Sequence, residues 1–127
     1  MSMRFTRHYT REEARALLPQ IRAWLTKLRR LQPLLEDQQR ALQKLLAQGR
    51  DLGGKGVTHF LRTLAEAQTV LREFARRQIQ LQDLDRGLVD FPAIVGGREV
   101  FLCWEEGEKE VEYWHELDAG YAGREPL

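Results

Sequence analysis

Apolar residues recur at alternating four- and three-residue steps from Leu17 onward, through Ile21, Trp24, Leu28, Leu31, Leu35, Leu42 and Leu45, with Gln38 as the one polar step. A heptad stripe sustained this long predicts a helix with an apolar seam along one side. Thr10 stands where an N-cap belongs, and Glu13 three residues later completes a capping box. Pro19 falls in the early turns. Pro33 lies deeper, removes a backbone donor, and predicts a kink or break. The glycine-rich stretch 48–56 (QGRDLGGKG) ends the stripe as a loop. A second stripe follows through Val57, Phe60, Leu64, Ala67, Leu71, Phe74, Gln78 and Leu81. The short connection predicts antiparallel neighbours. Gln38 and Gln78 interrupt the two seams. They predict exposed positions or, as the alternative, a hydrogen-bonded pair that fixes register within the chain or across a dimer.

Beyond residue 87 the period falls to two. Gly96-Gly97 and Glu106-Gly107 read as two tight hairpin turns. If both turns hold two residues, Ala93 opposes Val100 and then Tyr113. In the same way Phe91 opposes Leu102 and then Val111, while Val89 opposes Trp104. The expectation is a three-stranded antiparallel meander with one apolar face, covered by the helix pair. On the other face the same register aligns Asp90 with Cys103 and Glu110, Pro92 with Phe101 and Glu112, and Ile94 with Glu99 and Trp114. The fold class is therefore α+β. A single domain covers 1–127, with 10–82 as the helical hairpin and 87–127 as the meander and an irregular tail.

The net charge of +1 conceals an asymmetry. Residues 1–82 hold 16 Lys+Arg against 7 Asp+Glu, a balance of +9; residues 83–127 hold 4 against 12, a balance of −8. The halves either attract each other or face different partners. One cysteine forms no intrachain disulfide, no apolar run reaches bilayer length, and the first residues carry no apolar signal core. These features predict a cytoplasmic protein.

Neighbouring carboxylates repel unless a cation relieves them. Asp90, Glu108, Glu110 and His115 are the candidate ligands of a divalent metal ion. Asp90, Trp104, Glu108, Trp114, His115 and Arg124 are the candidate ligand-binding residues on the sheet. Cys103 reads as a small buried hydrophobe; nucleophilic use requires a base, and the only one, His115, is expected at the far end of the third strand. The tail predicts fraying, unless Arg124 clamps a carboxylate of the acidic face or a ligand anion. The run 53–58 (GGKGVT) lacks the Ser/Thr after Lys55 and the preceding strand of a phosphate-binding loop, though its amides can hold an anion. Lys27, Arg29, Arg30, Arg62, Arg72, Arg76 and Arg77 offer a phosphate-facing surface without any recognition motif, so nucleic acid is possible but not favoured as a partner. The long seams predict a homodimer through the helices.

The chain resembles a bacterial family known as domain of unknown function 2203. The resemblance is carried by TREEARALLP (residues 10–19), DRGLVDFPA (85–93), GREVFLCWEEGE (97–108), YWH (113–115) and GYAGREPL (120–127). It implies a single stand-alone bacterial domain whose shared chemistry or binding lies in the C-terminal motifs, and it implies no mechanism. The leading expectation is a ligand- or metal-binding regulatory module with its site on the C-terminal sheet. The alternatives are a metal-assisted hydrolase, in which a carboxylate or His115 activates water, and a structural or nucleic-acid-associated module using the basic helices.

Overall fold

The computed structural model describes residues 2–50 and 54–127. Two helices, α1 (Arg11–Ala47) and α2 (Lys55–Arg76), precede five strands: β1 (Gln80–Asp83), β2 (Leu88–Val95), β3 (Arg98–Glu105), β4 (Tyr113–Glu116) and β5 (Glu125–Pro126). The strands form one antiparallel sheet in the order β1-β2-β3-β4-β5. The capping box is complete, with Thr10 Oγ1 accepting from the Glu13 amide at 3.1 Å and Glu13 Oε1 accepting from the Thr10 amide at 3.0 Å. The expected break at Pro33 does not occur; α1 runs through it, with Leu28 and Leu31 buried on the turns before it. Of the loop 48–56, residues 51–53 lie outside the described residues, as does Gly53 of the anion-binding reading.

Val89, Phe91, Ala93, Val100, Leu102 and Trp104 alternate along β2 and β3 and point at the helices. There they join Leu18, Ile21, Leu25, Leu28, Leu31, Val70 and Phe74 in one core. The β2–β3 register is the expected one, including Asp90 opposite Cys103 and Pro92 opposite Phe101.

Three expectations are corrected. The helical stripe does not run to residue 82: α2 ends at Arg76, Gln78 takes a left-handed conformation (φ 60°), and Gln80–Asp83 pairs with β2 as an added edge strand. Leu81 therefore belongs to a strand, and Gln78 holds the N-terminal segment by accepting from the Thr6 and Arg7 amides at 3.0 and 2.9 Å. The tail does not fray, because Glu125–Pro126 pairs with β4 and the Leu127 amide donates to the Glu112 carbonyl at 2.8 Å. Five strands thus replace the three expected.

The third correction matters most for the site. The β3–β4 connection is not a two-residue turn, since residues 106–112 all lie between the strands. The loop is pinned at Trp104, whose indole N–H donates to the Glu108 carbonyl at 2.9 Å. Val100 pairs with Glu116, Leu102 with Trp114 and Cys103 with Tyr113, not with Tyr113, Val111 and Glu110. The register moves by three residues, an odd number, so every β4 side chain changes face. Trp114 turns toward the helix side and packs against the core. His115 turns to the face of Asp90 and Cys103.

That second face is also covered. The segment before α1 lies along it, with the Arg4 and Phe5 amides and the His8 ring all bonded to the Glu99 carboxylate. Phe5 packs edge-on against Phe101. Residues 117–124 close the other end. Gly87, at φ 66°, permits the β1–β2 turn to approach Glu106 so closely that a Cβ would sit 2.6 Å from the Glu106 Cβ. Among the described residues no helix is long and apolar enough to cross a membrane.

Candidate metal centre

Asp90 and Cys103 face each other across the β2–β3 ladder, and His115 sits one row along, opposite Phe101. The diagonal brings the His115 Nε2 to 3.0 Å from Asp90 Oδ1. Gln82, on the adjoining edge strand, donates its amide N–H to Asp90 Oδ2 at 3.1 Å. The His115 Nδ1 lies 2.7 Å from the Glu116 carbonyl oxygen, which only accepts, so the partners assign a proton to Nδ1. A second proton must occupy the Nε2···Oδ1 contact, because two lone pairs do not face each other at this distance. The pair is thus neutral as a unit, either imidazolium with carboxylate or imidazole with carboxylic acid. With Asp90 3% and His115 2% exposed, that neutrality is what makes their burial tolerable.

Cys103 is fully buried beside them. Its thiol is pushed up to about 12, first by burial and then by the Asp90 carboxylate, with Arg124 opposing. At neutral pH it is a thiol and no nucleophile. One donor atom each from Asp90, Cys103 and His115, a carboxylate oxygen, a sulfur and an imidazole nitrogen, lies within 4.8 Å of the others.

Above Asp90 and His115 opens a pocket of about 340 Å³, lined also by Gln82, Phe101, Asp118 and Tyr121. The C-terminal segment forms its outer wall and is held there by Arg124. The guanidinium bonds both Glu108 carboxylate oxygens, at 3.2 and 2.8 Å. It also lies between the rings of Tyr113 and Tyr121, at 4.0 and 4.2 Å from their centroids. Tyr121 in turn donates to Glu105 at 3.1 Å, and Arg86 bonds the same carboxylate at 2.8 Å.

Of the residues expected at the site, Asp90 and His115 meet. Trp104 is buried on the helix side of the sheet, and Trp114 shares that side. Glu108 is taken by Arg124 and by the Glu105 amide at 2.7 Å. Glu110 lies in the β3–β4 loop and pairs with Arg15 of α1 at 3.0 Å. Cys103 and Gln82 were missed as site residues. The Asp90–Cys103 row was legible from the first hairpin, but Gln82 was hidden in the apparent helix. The basic helical surface is partly neutralised: Arg76 and Arg77 both bond Glu73, and Arg29 pairs with Glu106 of the acidic half at 2.6 Å. No curated protein and no solved structure matches the chain. Residues 7–127 match the family described as Uncharacterized conserved protein (DUF2203), and the chain belongs to that family.

Proposed function

We propose that the protein is a small metal-binding module whose divalent ion is held by Asp90 and His115, which line the pocket, and by Cys103, buried beside them. The observation that carries this reading is that three chemically different donors lie within 4.8 Å of one another in a buried place, two of them, Asp90 and His115, lining a cavity. The donor set argues for the class of ion. Imidazole and thiolate favour zinc, iron or cobalt, whereas magnesium and calcium prefer oxygen alone. Donors on one such ion stand about 3–4 Å apart, given metal–ligand bonds of about 2.0–2.3 Å, so the trio needs only a small contraction. The ion would take the place of the proton shared by Asp90 and His115, and would deprotonate Cys103 as it binds. Gln82 holds the second Asp90 oxygen, and the Glu116 carbonyl holds the far side of the ring, which is the outer-shell support that metal ligands need. A reducing cytoplasm suits this site, because it keeps Cys103 as a thiol.

Three protein donors, two of which border a cavity, also fit a metal-assisted hydrolase, in which an open position would hold water. The binding reading is the one to test first. Calorimetric titration with Zn²⁺ and Co²⁺ is expected to give one ion per chain with release of protons, and cobalt is expected to add a thiolate charge-transfer band. Cys103→Ser should remove that band and weaken binding, while His115→Gln should abolish it. Undiminished binding by a folded Asp90→Asn, His115→Gln double variant would refute the site.

A further inference from the structure

The pocket over the sheet has a one-sided chemistry. Its volume of about 340 Å³ falls at the lower end of the roughly 300–1,000 Å³ typical of small-molecule sites. Leu88, Phe101 and Leu117 give it an apolar wall. Among the described residues neither Lys nor Arg lines it, whereas two carboxylates do. Asp90, at the inner end, is neutral as a unit with His115 and draws little charge of either sign. Asp118 stands at the mouth, with its side chain 88% exposed.

The hydrogen-bonding groups point the same way. Gln82 donates its amide N–H to Asp90 Oδ2, which leaves the amide oxygen without an in-chain donor among the described residues. The Tyr121 hydroxyl gives its proton to Glu105 and accepts from Arg124. Of the Asp118 oxygens only Oδ1 is bonded, to the Arg4 guanidinium at 3.1 Å. The side-chain positions left open to a ligand are therefore chiefly acceptors. The Arg4 contact shows the mouth already accepting a cation. Both partners are exposed, so the bond is weak and a second cation can replace it.

We propose that the pocket binds a small primary amine, with the ammonium on Asp118 and the apolar body against Leu88, Phe101 and Leu117. An ammonium brings a positive charge and three N–H donors, which this lining lacks. A carboxylate or phosphate of the same size would set acceptors against acceptors and meet no Lys or Arg side chain. An ion held by Asp90, Cys103 and His115 leaves that balance unchanged, because one carboxylate and one thiolate would offset its two positive charges. Amine binding of this kind needs no ion in the site.

The test uses the full chain, stripped of metal by a chelator that is then dialysed away, and three probes of one shape: benzylamine, benzyl alcohol and benzoate. Binding is read from the amide NMR shifts of residues 117–121. Benzylamine is expected to saturate with a Kd of about 1 mM, as suits so small a ligand. The alcohol should bind about three- to fivefold more weakly, and benzoate not at all. Asp118→Asn, an exposed and nearly isosteric change, should remove the lead of benzylamine over the alcohol. Arg4→Gln, which takes away the in-chain competitor, should tighten benzylamine about twofold. Benzoate binding as well as benzylamine overturns the proposal. So does a benzylamine affinity indifferent to Asp118→Asn, or no saturation by about 10 mM. Zinc titration of the same preparation judges the metal site separately, so either reading can fail alone.

Discussion

The sheet end and the hairpin tip invert the usual assignment of polar and apolar residues. At the sheet, Asp90 and His115 lie within the protein and their polar atoms are paired with Gln82, Glu116 or each other. At the tip, leucines face solvent, and the buried amide oxygen of Gln38 has no hydrogen-bond partner among the described residues. At the sheet the buried polar groups are satisfied within one chain; along the hairpin the apolar seam is only half covered. Replacing a buried pair of this kind by an apolar set of similar volume is often neutral or stabilising, so its presence is no argument for stability.

The largest effect is expected from breaking the buried pair from one side. His115→Ala leaves the Asp90 carboxylate buried with only Gln82 as partner, and should cost about 3–5 kcal/mol. Denaturant melts at neutral pH check this. A comparable truncation at the tip, Phe60→Ala, should cost about 1 kcal/mol in dilute solution, because the ring is only half-buried in one chain. A cost as large as that of His115→Ala would erase the distinction between the two ends.

The fold was legible where local rules decide it. Thr10 and Glu13 announced the start of α1, and Gly96-Gly97 set a hairpin whose whole ladder followed. What escaped was decided by tertiary contact. The residues Gln80–Asp83 keep an apolar Leu81 in helical phase with Phe74, yet pair with β2 because its edge is free and Gln78 turns the chain. The loop after β3 was misjudged because the Glu108 carbonyl satisfies the Trp104 indole, a bond no turn signature encodes. That one error moved His115 to the wrong face, so Asp90 and His115 were both named as candidates while their meeting stayed hidden. Glu110 was aligned with Asp90 by the same two-residue turn and Glu108 was grouped with them beside it; they are spent on Arg15 and Arg124 instead.

A subtler effect follows from the protons at the site. The Cys103 thiol, pushed up to about 12, keeps its proton throughout the neutral range, and an incoming ion must displace it. Metal affinity should therefore rise about tenfold per pH unit from this group alone. Cys103→Ser should flatten the slope, as read by zinc titrations between pH 6 and 8. The same raised value acts on stability with the opposite sign of pH. A thiol that holds its proton more tightly when folded contributes stability below its unfolded value of about 8.5, and that contribution is lost as pH climbs toward about 12. Without metal, alkaline unfolding should come later for Cys103→Ala than for the parent; an unchanged alkaline limb would mean that the sulfur is less enclosed than the strands around it require.

The smallest effect should come at acid pH from the N-terminal segment, which lies over the sheet and not over the tip. Burial works to raise the Glu99 carboxyl, but the His8 ring and the Arg4 and Phe5 amides outweigh it and hold the group below its ordinary value. A lowered carboxyl contributes stability above its unfolded pKa of about 4.3, and loses it as pH falls through the folded value. Residues 4–8 should therefore loosen before the core does, in a step below about pH 4. Hydrogen exchange at the Arg4 and Phe5 amides reads this directly. Glu99→Gln should give fast exchange at every pH, because a neutral amide oxygen is a weaker acceptor than a carboxylate that binds two amides and an imidazole at once. Zinc binding should be untouched, since none of these contacts reaches Asp90 or His115. If the segment held its protection in Glu99→Gln, its anchor would instead be the edge contact of Phe5 on Phe101 and the Gln78 bonds to Thr6 and Arg7.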